Sequence, residues 1–257
     1  MENRVVDLCL AMDYWVFGGY VRDVFVCSKR EFNDIDICVP RSKHGTVDHF
    51  INALSVFYTV DVTRDTKLAD MKYGAMSKGI KAVVKITLNS QLKLDLCLFD
   101  GGLDDWRNEH SVDLSCNLFY MSRSTPLGLR YIPKIYRYLA APARKIIEMT
   151  RNGIFEVVYE TQAERDCSYS KAVAECRKAQ YVMWRAKKLI QRGWFLKGKV
   201  LTDDMFDWTV EAGAQSDWGE RLERFEEEIE ALQKDAQADA TQLPQGVRDS
   251  VRRKLDL

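Results

Sequence analysis

Apolar and polar positions along the first half of the chain alternate in short runs bounded by turn residues. Val5, Val6, Leu8, Cys9 and Met12 recur at helical spacing and predict a short helix over 3–13. Tyr14–Phe17 reads as a strand ended by Gly18-Gly19, and Tyr20–Cys27 as a helix. Asp34–Val39 alternates as a strand stopped by Pro40. Residues 44–54 predict a helix and Phe57–Thr63 a strand. Residues 64–80 are polar and read as a loop. Lys81–Leu88 and Leu92–Phe99 predict two strands joined by the turn formers Asn89-Ser90, and 100–112 a further loop.

After Pro133 the period becomes helical. Residues 142–160 and 163–195 carry long helical runs, the second with an apolar stripe of Ala172, Val173, Cys176, Ala179, Val182 and Met183 and with Gly193 near its end. Residues 218–240 predict an acidic amphipathic helix on Leu222, Phe225, Ile229 and Leu232. The expected fold class is α+β: a head over 1–132 with a mixed, about five-stranded sheet flanked by helices. An all-helical part over 133–257 is expected to follow it.

Lys plus Arg and Asp plus Glu both number 38, so only the distribution of charge is informative. Residues 123–202 hold 17 basic and 6 acidic residues, whereas 203–257 hold 7 and 15. A basic middle points to a polyanion surface, with solvated helix faces as the alternative. The seven cysteines form no CxxC pair and lie mostly in apolar segments, as buried free thiols in a reducing, cytoplasmic compartment would. No apolar run approaches the ~20 residues of a membrane helix, and the N-terminal residues do not open as a signal peptide. No membrane partner is expected. His44, His49 and His110 show no ligand or triad spacing.

The chemistry concentrates in Val16-Phe17-Gly18-Gly19-Tyr20-Val21-Arg22-Asp23, followed by Asp34-Ile35-Asp36-Ile37. Two glycines at a strand-to-helix turn let the backbone approach a ligand, and amides opening the next helix favour an anion. Asp34 and Asp36, two apart on a strand, project from one face roughly 6–7 Å apart. Such a pair repels itself unless a cation neutralises it, and paired Mg²⁺ ions bridging nucleotide phosphates would do so. A solvated edge strand is the alternative. Asp95, in Lys93-Leu94-Asp95-Leu96, is the expected third carboxylate, with Asp61 the runner-up.

At these residues the chain resembles a family. Gly18-Gly19-Tyr20-Val21-Arg22-Asp23 with Asp34-Ile35-Asp36 is similar to the GGxVRD…DxD signature of CCA-adding enzymes and bacterial poly(A) polymerases, in the DNA polymerase beta-like nucleotidyltransferase superfamily. Val112-Asp113-Leu114-Ser115-Cys116-Asn117-Leu118 is similar to that family's RRDFTINAL segment. The resemblance implies transfer of a nucleoside monophosphate from an NTP, with ATP or CTP expected, to a hydroxyl at an RNA 3′ end, tRNA being the first candidate. Two Mg²⁺ ions, or Mn²⁺, are implied. It implies that Gly18, Gly19 and Arg22 hold the triphosphate and that Asp34, Asp36 and Asp95 bind metal. Asp113 and Asn117 would lie beside the sugar and phosphates. Ser111-Val112 stand where the family has two arginines, and Tyr159–Arg165 has the residue types of its base-selecting EDxxR element at a different spacing. The compact size resembles abbreviated viral or phage-encoded members.

Arg185, Lys188 and Arg192, spaced i, i+3, i+7 and flanked by Trp184, Trp194 and Phe195, form a candidate RNA-binding face. A basic amphipathic helix with its tryptophans in the core is the alternative. Arg130, Lys134 and Arg137 form a weaker cluster. The rival functions are transfer to a protein or small molecule, and a nucleotide- or RNA-binding protein without the chemistry.

Overall fold

The computed structural model describes residues 2–29, 32–65, 79–108, 112–130, 143–158, 169–198 and 216–241. The chain divides into two compact units. The first comprises Met1–Val112 with Asn117–Ala143, and the second Asp113–Cys116 with Arg144–Leu257.

The first unit is built on a seven-stranded sheet in the order β3-β4-β5-β2-β1-β6-β7. Its strands are β1 Trp15–Phe17, β2 Asp34–Pro40, β3 Val60–Asp65, β4 Ile80–Leu88, β5 Leu92–Phe99, β6 Phe119–Met121 and β7 Gly128–Leu129. The β2/β5 pairing is parallel and the other five are antiparallel, so the sheet is mixed, as expected for an α+β fold. Asn89 and Ser90, both at positive φ, make the tight β4–β5 hairpin. The count exceeds the expected five because β6 and β7 are three and two residues long, too short to show alternation.

Alternation gives the sheet two unlike faces. Ile35, Ile37, Val39, Leu94, Leu96, Ile86 and Leu88 fill the apolar one. Helices α1 (Glu2–Ala11) and α2 (Val47–Ser55) belong to this unit, and α2 buries Val47, Phe50 and Leu54. Tyr14 meets the ring of Phe50 at 5.4 Å. The opposite face carries Asp34, Asp36 and Asp95 towards one end. At its other end Trp15, Cys38, Phe99, Trp106 and Tyr120 form a buried cluster. Trp106 comes from α3 (Leu103–Asn108), which lies in the stretch read as a loop. Six residues give under two turns, too few for a periodic signal. Arg130 is buried here as well, its guanidinium 4.3 Å from the Trp106 ring and bonded to the Trp106 carbonyl at 2.8 Å. It is a packing residue rather than a surface cation.

The second unit contains α4 (Ala143–Arg151), α5 (Tyr169–Ile190) and α6 (Ser216–Thr241). It is not all-helical. Each of the first two helices is followed by a two-residue strand, β8 Ile154–Phe155 and β9 Phe195–Leu196, and these pair in parallel. Gly193 at φ +79° closes α5, where Trp194 N–H reaches back to the Leu189 carbonyl at 3.1 Å. Asp113–Cys116 adds to this unit: Leu114 bridges Val157, the Ser115 N–H donates to the Glu156 carbonyl, and the Glu156 N–H donates to Ser115 Oγ. Ala179, Val182 and Met183 of the expected stripe are fully buried. Helix α6 packs on α5 with Ile229 buried, and Gln233 donates to the Leu196 carbonyl at 2.7 Å. No described helix is long and apolar enough to cross a membrane. The expected boundary between 1–132 and 133–257 falls within 131–142, outside the described residues.

Candidate active site

Gly18 follows β1 at φ +73°, a conformation that L side chains rarely adopt. A Cβ placed there would sit 2.5 Å from Asp36 Oδ2. Glycine is therefore required twice over, by the backbone angle and by the carboxylate lying against its Cα. This contact follows from the register, in which Phe17 pairs with Asp36 across β1 and β2.

The expected helix after the turn is a six-residue π-helix, Val21–Val26, rather than an α-helix. At that length it has little dipole, so the turn itself, not a helix N-terminus, is the feature available to a ligand. Arg22 is buried within it. Its guanidinium spans both Asp23 oxygens at 2.8 and 2.7 Å and donates to Asn117 Oδ1 at 2.7 Å. Two residues expected beside a nucleotide are thus bonded to each other, fixing the turn to the chain 95 residues later.

Across the parallel pair, Asp34 lies opposite Lys93, Asp36 opposite Asp95, and Cys38 opposite Cys97. In-register partners share a face, so Asp34, Asp36 and Asp95 lie on one face of two adjacent strands. All three are partly buried. Lys85 of β4 pairs with Asp95 and is exposed, as is Lys93. Asp61 pairs with Thr87 on β3, separated from β2 by β4 and β5, so it stands apart from the group. Strand order, which alternation alone cannot give, separates the two candidates.

The carboxylates stand on an apolar floor. Val83 and Cys97 are fully buried, with Phe17 and Ile80 packed against them. The Cys97 thiol is pushed well above its ordinary value, first by burial and then by the fields of Asp36, Cys38 and Asp95. It remains a neutral thiol beside the charged group.

Among the described residues, no three His, Cys, Asp or Glu side chains close into a cage for a metal ion. Mg²⁺ does not require one. It keeps waters, takes phosphate oxygens and binds through one or two carboxylates. The hard oxygen donors of Asp34, Asp36 and Asp95, with Asp36 directly opposite Asp95, fit that chemistry. The thiols at the next register position, Cys38 and Cys97, are soft donors and are buried.

Of the remaining candidates, Asp113, Arg185, Lys188 and Arg192 lie in the second unit. Asp113 is 1 % exposed, with Arg185 Nη1 2.8 Å from its Oδ2. Neither carboxylate oxygen receives a well-directed hydrogen bond, so the pair is held by charge. Asp113 is consequently a buried partner rather than an exposed ligand, and Arg185 directs its charge inward. Trp194 is buried, whereas Trp184, Lys188 and Arg192 are exposed. His44 contacts the Phe99 carbonyl at 3.0 Å and His49 is exposed. Ser111, His110, Lys134, Arg137 and Tyr159–Arg165 lie outside the described residues.

No family model matches the sequence, and no curated protein matches it. Among solved structures the chain is similar to a CCA-adding enzyme in complex with CTP, at 13% identity and a TM-score of 0.45 over 89% of this chain and 47% of that one. It is also similar to a CCA-adding enzyme with ATP (14% identity, TM-score 0.43, 89% of this chain and 47% of that one). A third is the Thermotoga maritima CCA-adding enzyme complexed with tRNA (15% identity, TM-score 0.40, 87% and 50%). The chain spans about half the length of these structures, and at such scores the likeness carries no argument about activity.

Proposed function

We propose that the protein is a metal-dependent nucleotidyltransferase that moves a nucleoside monophosphate from an NTP to an acceptor hydroxyl with release of pyrophosphate. The observation that carries this reading is the seating of Asp36 against the bare Cα of Gly18 on one side and opposite Asp95 on the other. The glycine turn and the carboxylates thereby share one end of one sheet face. A solvated edge strand would require neither the glycine nor the register, and β2 lies in the middle of the sheet.

In this reading Gly18 and Gly19 let the triphosphate approach the backbone, and Arg22 with Asn117 braces the turn. Asp34, Asp36 and Asp95 hold Mg²⁺, which when bound neutralises phosphate charge and favours in-line displacement at the α-phosphate. Asp95, on the strand beside that of Asp36, would accept the proton of the attacking hydroxyl. Lys85 and Lys93, exposed on the same face, supply positive charge that Ser111 and Val112 do not. The acceptor is an RNA 3′ end, with tRNA as the first candidate and ATP or CTP as donor. The 17 basic against 6 acidic residues of 123–202 support a polyanion partner. Residues 1–132 form the catalytic part and 133–257 the acceptor-binding part.

Pyrophosphate release measured with each NTP, Mg²⁺ and total RNA tests the reading. RNA-dependent release is expected; release from no NTP under any condition would reject it.

A further inference from the structure

Helix α5 presents three kinds of surface in the second unit. Ala179, Val182, Met183, Ala186, Leu189 and Ile190 are buried. Lys187 turns to the acidic α6, where its ammonium meets Glu228 and lies 6.0 Å from the Phe225 ring. The third surface, at positions 181, 184, 185 and 188, is unlike either. Trp184 is 43% exposed and stacked on Tyr181, with ring centroids 5.8 Å apart and planes 28° from parallel. The Lys188 ammonium lies 5.3 Å from the Trp184 ring, and the Arg185 guanidinium 5.8 Å from the Tyr181 ring. From Arg177 to Thr202 the sequence holds eight Lys or Arg and no Asp or Glu.

We propose that Tyr181 and Trp184 form a stacking platform for an unpaired base of single-stranded RNA, with Lys188 taking the adjoining phosphate. As the acceptor's contact this rests on the transferase reading; as a nucleic-acid site it stands on its own geometry. An indole held against Tyr181 and 43% exposed offers a base a stacking surface at reduced rotamer cost, once the Lys188 ammonium over the same ring shifts to the phosphate. A duplex offers no free base face except at its ends. An apolar protein partner would have to bury the Lys188 ammonium that lies over the Trp184 ring, whereas a phosphate would receive it. Arg185 is a positioning residue: its pairing with Asp113 anchors the Tyr181 side of the platform.

The test is fluorescence anisotropy of a fluorescein-labelled oligoadenylate RNA titrated with the full chain, beside the same strand in a duplex. The single strand is expected to bind more tightly. Trp184→Ala, with folding checked by circular dichroism, is expected to weaken single-strand binding about five- to a hundred-fold, and Trp184→Phe to restore most of it. Lys188→Gln is expected to lower the salt slope by about 0.7. Trp184→Gln serves if the alanine variant does not fold. Unchanged binding by the Trp184 variants, equal loss for strand and duplex, or no rescue by Trp184→Phe would overturn the platform. Trp184-dependent binding by a protein that transfers no nucleotide would leave the platform and remove the transferase; full transfer to RNA by Trp184→Ala would keep the transferase and overturn the platform as its acceptor's contact.

Discussion

Asp36 and Asp95 face each other in register across the parallel strands β2 and β5, on a sheet face whose neighbouring position is a buried thiol pair. Two carboxylates on adjacent strands beside a buried apolar patch repel each other when both are ionised. Asp36→Asn and Asp95→Asn keep the side-chain shape and remove part of that repulsion, so the urea midpoint is expected to change little. Each is expected to lower nucleotidyl transfer about a hundred-fold or more. Asp61→Asn, two strands removed from Asp95, is expected to leave transfer within a few-fold of wild type. Equal loss in all three would show that strand order does not define the site.

Gly18→Ala combines a positive φ with a Cβ 2.5 Å from Asp36 Oδ2. Relief requires the turn or the carboxylate to move. A stability loss of about 1–3 kcal/mol is expected from the backbone term alone, with loss of transfer as Asp36 is displaced. Chemical denaturation and the transfer assay read the two effects separately.

The Asp113–Arg185 pair yields a stability prediction. Removing the guanidinium leaves a carboxylate 1 % exposed with its charge uncompensated, so Arg185→Ala is expected to destabilise by about 3–5 kcal/mol. Combining it with Asp113→Asn should return a large part of that loss. A double-mutant cycle by urea denaturation measures the coupling.

Cys97 is buried, and its thiol titrates well above the ordinary value. In the folded chain it is expected to resist iodoacetamide at pH 8 while the partly exposed Cys27 reacts, as read by peptide mass mapping. The unfolded chain ionises this thiol first, so it then binds fewer protons than the folded chain. The stability contribution is thus full below the unfolded value of 9.0 and is lost as pH rises above it. Denaturation midpoints at pH 7 and pH 10, for wild type and Cys97→Ala, measure that loss.

The strands that carry chemistry were legible because they are long or sharply bounded: β2, β4 and β5 begin and end within a residue or so of the alternation and its turn residues. Asp34 and Asp36 could be put on one face by parity alone. Parity could not choose Asp95 over Asp61, because both point the same way and only strand order separates them. Helix α3 and strands β6 to β9 were missed for want of length; two to six residues hold no period. Trp184 and Trp194 looked alike as flanks of a basic stripe, yet one is exposed and the other buried. Gly193 ends the helix between them, so the helical spacing used to group them does not continue to Trp194.

The central claim is that Asp34 and Asp36 serve nucleotidyl transfer. Its most direct test is incorporation of label from each α-³²P NTP, with Mg²⁺ and total RNA, by wild type and by Asp34→Ala/Asp36→Ala of verified fold. Label entering RNA with wild type alone is the predicted result, and the NTP that supplies it names the base. Equal labelling by both proteins, or no Mg²⁺-dependent NTP binding by wild type, would contradict it.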